Sequence, residues 1–155
     1  MEIVLFEPEI PPNTGNVARL CAAADVRLHL IEPLGFSISD KHLKRAGLDY
    51  WPHVDLKVWP GWDAFIQGKG PKRLVFTSAR RGTPFHRFAF RPNDALVFGP
   101  ETRGLPAEIL DAFPDRIVNI PIFGPVRSLN LSTAAGVVLY EALRQTGKLD
   151  MELNK

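Results

Sequence analysis

The chain has 155 residues, 45% of them apolar and 23% charged, with a formal net charge of +2. These values describe one globular domain over residues 1–155 and exclude a disordered or fibrous chain. No run approaches the roughly 20 apolar residues of a membrane span, the start MEIVLFEPEI lacks the basic segment of a signal peptide, and the lone Cys21 leaves no disulfide or cysteine-cluster metal site. The expectation is a cytoplasmic protein without a membrane or metal partner.

The first apolar run, residues 3–6, reads as a strand, and Pro11-Pro12 are expected to hold off any helix before Asn13. Val17, Leu20, Cys21 and Ala24 then recur at helix spacing, giving a helix over 16–24 with Cys21 on its buried face. Asn13, Gly15 and Asn16 fall on the loop and first turn, where unpaired backbone N–H groups gather. Arg19 lies off the apolar stripe. Taken alone, this stretch is better read as a capped helix carrying a solvated arginine.

Further strands are expected at 27–31, 54–58, 74–77, 95–98 and 117–120, with helices at 40–46, 62–67, 106–112 and 131–146. Continuous apolar strands alternating with helices imply a parallel sheet covered on both faces, an α/β fold. Residues 150–155 are polar and are expected to fray.

Ligands of such sheets sit beyond the carboxyl ends of the strands. Four segments fall there: 11–19, 77–81, 99–104 and 121–130. No dinucleotide fingerprint, P-loop, nucleophile elbow or zinc-protease motif occurs, and His29, His42, His53 and His86 form no ligand spacing. What these ends hold is Gly, Pro, Asn, Ser, Glu and Arg, a set that suits backbone-mediated grip of an uncharged ring system. Gly99 is expected to let a ligand approach the backbone, and Glu101 is the only carboxylate of its loop. Asn130 or Ser132 is placed to cap the last helix.

Charge is unevenly distributed. Residues 41–91 hold eleven Lys/Arg against three acids, with Tyr50, Trp51, Phe85 and Phe88 interleaved. Such a field suits a polyanion, and the aromatics could stack on unpaired bases. A solvated surface over core aromatics is the alternative.

Three segments together resemble the motifs of the SPOUT superfamily of trefoil-knotted RNA methyltransferases: Asn13-Thr14-Gly15-Asn16-Val17-Ala18-Arg19; Phe98-Gly-Pro-Glu-Thr-Arg-Gly-Leu105; and Ile120-Pro121 followed by Ser128-Leu-Asn-Leu-Ser132. EPEIPPNTGN, RAGLDYW and GPETRGLP are similar to the branch that 2′-O-methylates the wobble nucleoside of tRNA. The resemblance implies a parallel sheet flanked by helices with a C-terminal deep trefoil knot, S-adenosylmethionine as cofactor, and a homodimer that completes each active site across subunits. It implies cytidine or uridine 34 of tRNA, leucine tRNAs foremost, as the target. Thr77, Gly99, Ile120, Ser128 and Leu129 match cofactor-binding positions, and Arg19 matches the proposed catalytic arginine, supported by Asn13, Glu101 and Asn130. Since a guanidinium stays charged above a pKa of about 12, Arg19 is expected to stabilise charge at O2′ or orient a phosphate rather than take a proton. Lys44 and Arg45, then Arg80 and Arg81, are the first choices for RNA contact. Another tRNA or ribosomal RNA site, or a non-catalytic RNA-binding module, are the alternatives.

Overall fold

The computed structural model describes residues 1–39 and 50–151. The expected helix at 40–46, Lys44, Arg45 and the end of the tail lie outside the described residues. Elements run β1 (Glu2–Phe6), α1 (Pro11–Ala24), β2 (Arg27–Ile31), β3 (Leu56–Trp59), α2 (Trp62–Gly68), β4 (Leu74–Thr77), β5 (Thr83–Pro84), β6 (Ala95–Phe98), α3 (Ala107–Asp111), β7 (Ile117–Asn119) and α4 (Leu131–Gln145).

The strands form one seven-stranded sheet in the order β3-β2-β1-β6-β4-β7-β5, with every pairing parallel. Chain order reverses between β1 and β6, so the connections leaving these neighbours run to opposite halves of the sheet. A crevice opens at such a reversal. The two-residue β5 was not expected; it is too short to leave a periodic signal, and it is set by pairing Thr83 with Val118.

Each strand feeds two cores because its side chains alternate. Ile3, Leu5, Leu28, Leu30, Val75, Leu96, Phe98 and Val118 pack with Val17, Ala18 and Cys21 of α1 and with Ala135, Val138 and Leu139 of α4. Val4, Phe6, Ile31, Phe76, Val97 and Ile117 face the other way, onto Phe65 of α2 and Leu110 of α3. Burial on both faces explains the near-continuous apolar runs.

α1 begins at Pro11, five residues earlier than expected. Proline is excluded from helix interiors, but at the first positions its fixed φ suits the helix and its missing N–H needs no partner. Asn13, Thr14 and Gly15 therefore lie buried within the first turns rather than on a loop. Asp25 closes the helix in the left-handed region, φ 51°, with its N–H on Ala22 O and that of Val26 on Cys21 O.

Part of the basic middle segment is structural. Arg73 grips the fully buried Asp94 with two bonds, Nε to Oδ1 at 2.7 Å and Nη2 to Oδ2 at 2.6 Å, while Asp94 Oδ2 also accepts the Arg91 N–H. Lys72 pairs with Glu2, and Phe88 is buried in the core with Arg73 over its ring. These three residues therefore do not form an RNA-facing surface.

A buried polar chain pins β1, β2 and β3 at one face. Trp59 Nε1–H donates to His29 Nδ1 at 2.9 Å, which leaves the ring proton on Nε2, 3.0 Å from Glu2 Oε2. Burial pushes His29 below its ordinary value, against the opposing pull of Glu2. Burial also works against ionised Glu2, but hydrogen bonds from Lys72 and His29 outweigh it and hold the carboxyl below the usual range. Both groups thus bind protons less readily folded than unfolded, so stability is full above the ordinary histidine value of 6.5 and declines as pH falls below it. Urea denaturation from pH 8 to 5 should show this decline, and His29→Gln should flatten it. An unchanged slope in His29→Gln would remove His29 as the source.

Candidate functional site at the strand ends

The four segments expected beyond the strand ends converge on one cavity of about 820 Å³. Ile10 and Asn13 reach it from the β1–α1 connection, residues 77–81 from the end of β4, residues 98–105 from the end of β6, and residues 127–131 from the start of α4. Phe98, Leu105, Val118, Ile120, Leu129 and Val138 give it apolar walls. Thr77, Ser78, Ser128 and Asn130 supply polar edges, and the exposed Arg80, Arg81 and Arg127 stand at the mouth. An apolar volume of this size with few polar groups is typical of a small-molecule site.

The loop after β6 is fixed by Glu101. Its Oε2 accepts the Glu9 N–H at 2.9 Å, and its Oε1 accepts the Ile10 N–H and Asn13 Nδ2–H, both at 3.2 Å. Two of these donors belong to the entry of α1, where Ile10 has no side-chain cap. The Ile10 carbonyl accepts the first helical N–H groups, those of Asn13 and Thr14, and the carboxylate holds the segment before them from 91 residues away, where negative charge is favoured by the helix dipole. Glu9 returns the contact: its carboxylate accepts from Thr102 N at 3.0 Å and Thr102 Oγ1 at 2.9 Å, and Arg103 pairs with Glu7.

Asn130 extends the network. Its Oδ1 accepts the Ser132 N–H at 2.9 Å, capping α4, and its Nδ2 donates to Asn13 Oδ1 at 2.8 Å. Glu101, Asn13 and Asn130 thus form one continuous chain linking the β6 loop, α1 and α4. The helix-cap reading and the site reading of Asn130 describe the two ends of one side-chain amide.

Gly99 lines the cavity and has a second role besides the one expected. A Cβ there would lie 2.3 Å from Leu105 N and 2.5 Å from Gly104 C, so the glycine admits the loop's own returning backbone. Gly104 turns that loop at φ +72°.

Most sequence candidates come together: Asn13, Thr77, Arg80, Arg81, Gly99, Glu101, Ile120, Ser128, Leu129 and Asn130 all line the cavity. Arg81 also pairs with Asp111 at 2.8 Å. Arg19 does not line it. It is exposed, six residues beyond Asn13 and so roughly 9 Å along the α1 axis, with its guanidinium carbon 5.9 Å from the Tyr50 ring centre. Glu9, Thr102 and Arg127 went unnoticed in the sequence, since their partners and neighbours are distant in the chain.

This arrangement defines a class: residues 1–140 match the SpoU rRNA methylase family, and the chain belongs to it. The fold is that of SPOUT methyltransferases. It is 25% identical, with a TM-score of 0.80 over 97% of this chain and 61% of the other, to the SpoU methyltransferase AviRb from Streptomyces viridochromogenes in complex with AdoMet. More particularly, it is 55% identical to a tRNA (cytidine(34)-2'-O)-methyltransferase from Saccharophagus degradans, over 94% of this chain and 95% of that one. A structure solved for insight into the 2-OH methylation of C/U34 on tRNA matches at 52% identity and a TM-score of 0.87, covering 93% and 94% of the two chains.

Glu101→Gln keeps the shape of the side chain but turns an amide NH₂ toward one of the N–H donors. Urea denaturation should show a loss of about 1 kcal/mol, the scale of one hydrogen bond at a half-buried position. Wild-type stability in this variant would mean that the carboxylate does not hold the loop.

Proposed function

We infer that the chain transfers a methyl group from S-adenosylmethionine to the ribose 2′-oxygen of the wobble cytidine or uridine, nucleotide 34, of tRNA. The observation that carries this is the single cavity onto which all three motif segments converge, tied together by Glu101, Asn13 and Asn130. The near-full-length likeness to cytidine(34) 2′-O-methyltransferases supports the target.

The cavity fits the cofactor. Its apolar walls at Leu105, Ile120 and Leu129 suit an adenine ring, and the polar edges at Thr77, Ser128 and Asn130 suit ribose and amino-acid groups. When bound, S-adenosylmethionine supplies an electrophilic methyl on a sulfonium, whose departure leaves a neutral thioether. The chain's own task is alignment, and its network performs it. Glu101 accepts three N–H bonds, so it acts as a positioning residue that fixes the loop against α1. Asn13 and Asn130 carry that constraint to the start of α4.

Arg19 supplies charge. Near the 2′-oxygen, its guanidinium stabilises the developing alkoxide or holds a phosphate that takes the hydroxyl proton. Because Arg19 stands outside the lining of its own chain's cavity, we assign it to the cavity of a second copy in a homodimer. Exposed Phe123, Val126 and Tyr140 provide apolar surface for such an assembly. Arg80 and Arg127 at the mouth, with Arg81 beside them, face the RNA backbone. Substrate tRNA places this work in the cytoplasm, and residues 1–155 act as one methyltransferase domain closed by the trefoil knot of this family.

Transfer to a tRNA transcript should disappear when nucleotide 34 carries a 2′-deoxyribose; continued methylation there would overturn the target. Arg19→Ala should lower kcat about 10²–10³-fold, with Arg19→Lys retaining measurable activity. Mixing Arg19→Ala chains with chains whose cavity is filled by Ser128→Trp should restore transfer, because the mixed dimer regains one complete site. No restoration would place Arg19 and the cavity it serves in the same chain.

A further inference from the structure

Tyr50 belongs to none of the three motif segments, yet it touches the turn of α1 that carries Arg19 at two points. Its hydroxyl donates to the Gly15 carbonyl at 2.9 Å. In the α-helical ladder that carbonyl is the acceptor of Arg19's own N–H, four residues on. Its ring centre lies 5.9 Å from the Arg19 guanidinium carbon, inside the range of a cation–π contact. The ring is half-buried and packs against the core shared by α1 and α4, so it is fixed on its inner side by packing and at its tip by the hydroxyl.

Arg19 itself is exposed at the surface of α1. An exposed arginine samples many rotamers, and a charge placed to act at one oxygen must lose that freedom before the reaction. The face of an anchored aromatic ring restricts it without neutralising it. A carboxylate would also hold the guanidinium, but it would cancel the charge that an alkoxide needs.

We propose that Tyr50 is a positioning residue that holds the Arg19 guanidinium in its working orientation. This rests on the reading of Arg19 as the charge at the 2′-oxygen. Tyr50 acts in its own chain, wherever that arginine is delivered. The hydroxyl sets the ring, and the ring sets the arginine.

The experiment compares Tyr50→Phe, Tyr50→Leu, Arg19→Ala and the Tyr50→Leu/Arg19→Ala double variant in methyl transfer to tRNA. Thermal denaturation and S-adenosylmethionine titration accompany each. Tyr50→Phe keeps the ring but frees its tip, so kcat should fall about twofold, short of the loss in Tyr50→Leu. Tyr50→Leu should lower kcat about fivefold, the scale of one exposed cation–π contact, with unchanged KM for tRNA and unchanged cofactor affinity. In the Arg19→Ala background it should cost nothing further. Wild-type kcat in Tyr50→Leu overturns the proposal. So does a rise in KM for tRNA alone, which would make Tyr50 a base-stacking residue, and so does an equal loss with or without Arg19. If Arg19→Ala remains fully active, the reading of Arg19 fails instead, and that result is separate from any behaviour of Tyr50. Should Tyr50→Leu not fold, Tyr50→Met fills a similar volume without a π face and carries the same expectations.

Discussion

The carboxylate of Glu101 is the contact on which the site depends. The two prolines that open α1 have no N–H, and the Ile10 carbonyl accepts the N–H groups of Asn13 and Thr14, so the helix entry is satisfied locally. Glu101, in the loop after β6, takes the N–H groups of Glu9 and Ile10 just before the helix and the side-chain amide of Asn13. A single charged side chain thereby decides how two loops at the sheet's reversal point stand relative to each other. Everything lining the cavity on that side inherits its position from this contact.

The network explains how so few polar residues can organise a site. Asn13 is satisfied on both ends of its amide, by Glu101 and by Asn130, and Asn130 simultaneously caps α4. Asn130 meets a local helix-end need with Oδ1 and a long-range one with Nδ2, and both Asn13 bonds are long-range. Methyl transfer asks mainly for alignment and a shielded, shaped cavity. A rigid arrangement of loop ends provides that, and it leaves Arg19 as the one strongly charged group of the motif segments assigned to the reacting oxygen.

The basic segment divides on the same principle. Arg73 and Lys72 are neutralised by the buried acids Asp94 and Glu2, where removing the cation would strand a carboxylate away from water. Arg80 and Arg127 remain at the cavity mouth. Net charge along the sequence therefore overstates the field available to RNA, because burial decides which cations are spent inside the fold.

Periodicity in the chain determined the alternation of strands and helices, the parallel sheet and the four segments at its carboxyl ends, since each depends on residues within a few positions of one another. Ten residues singled out in the sequence meet at the cavity, seven of them from the three motifs. The sequence misplaced the start of α1, where local proline chemistry reads as a block although a helix entry tolerates it. It left β5 unseen, and nothing local showed that Gly99 also admits the returning backbone of its own loop. Only the tertiary structure decided which donors Glu101 serves, which cations are buried, and that Tyr50 stands beside Arg19. The physical reason is separation: Glu101 finds Glu9 across 92 positions and Asn130 finds Asn13 across 117, distances over which no local pattern carries information.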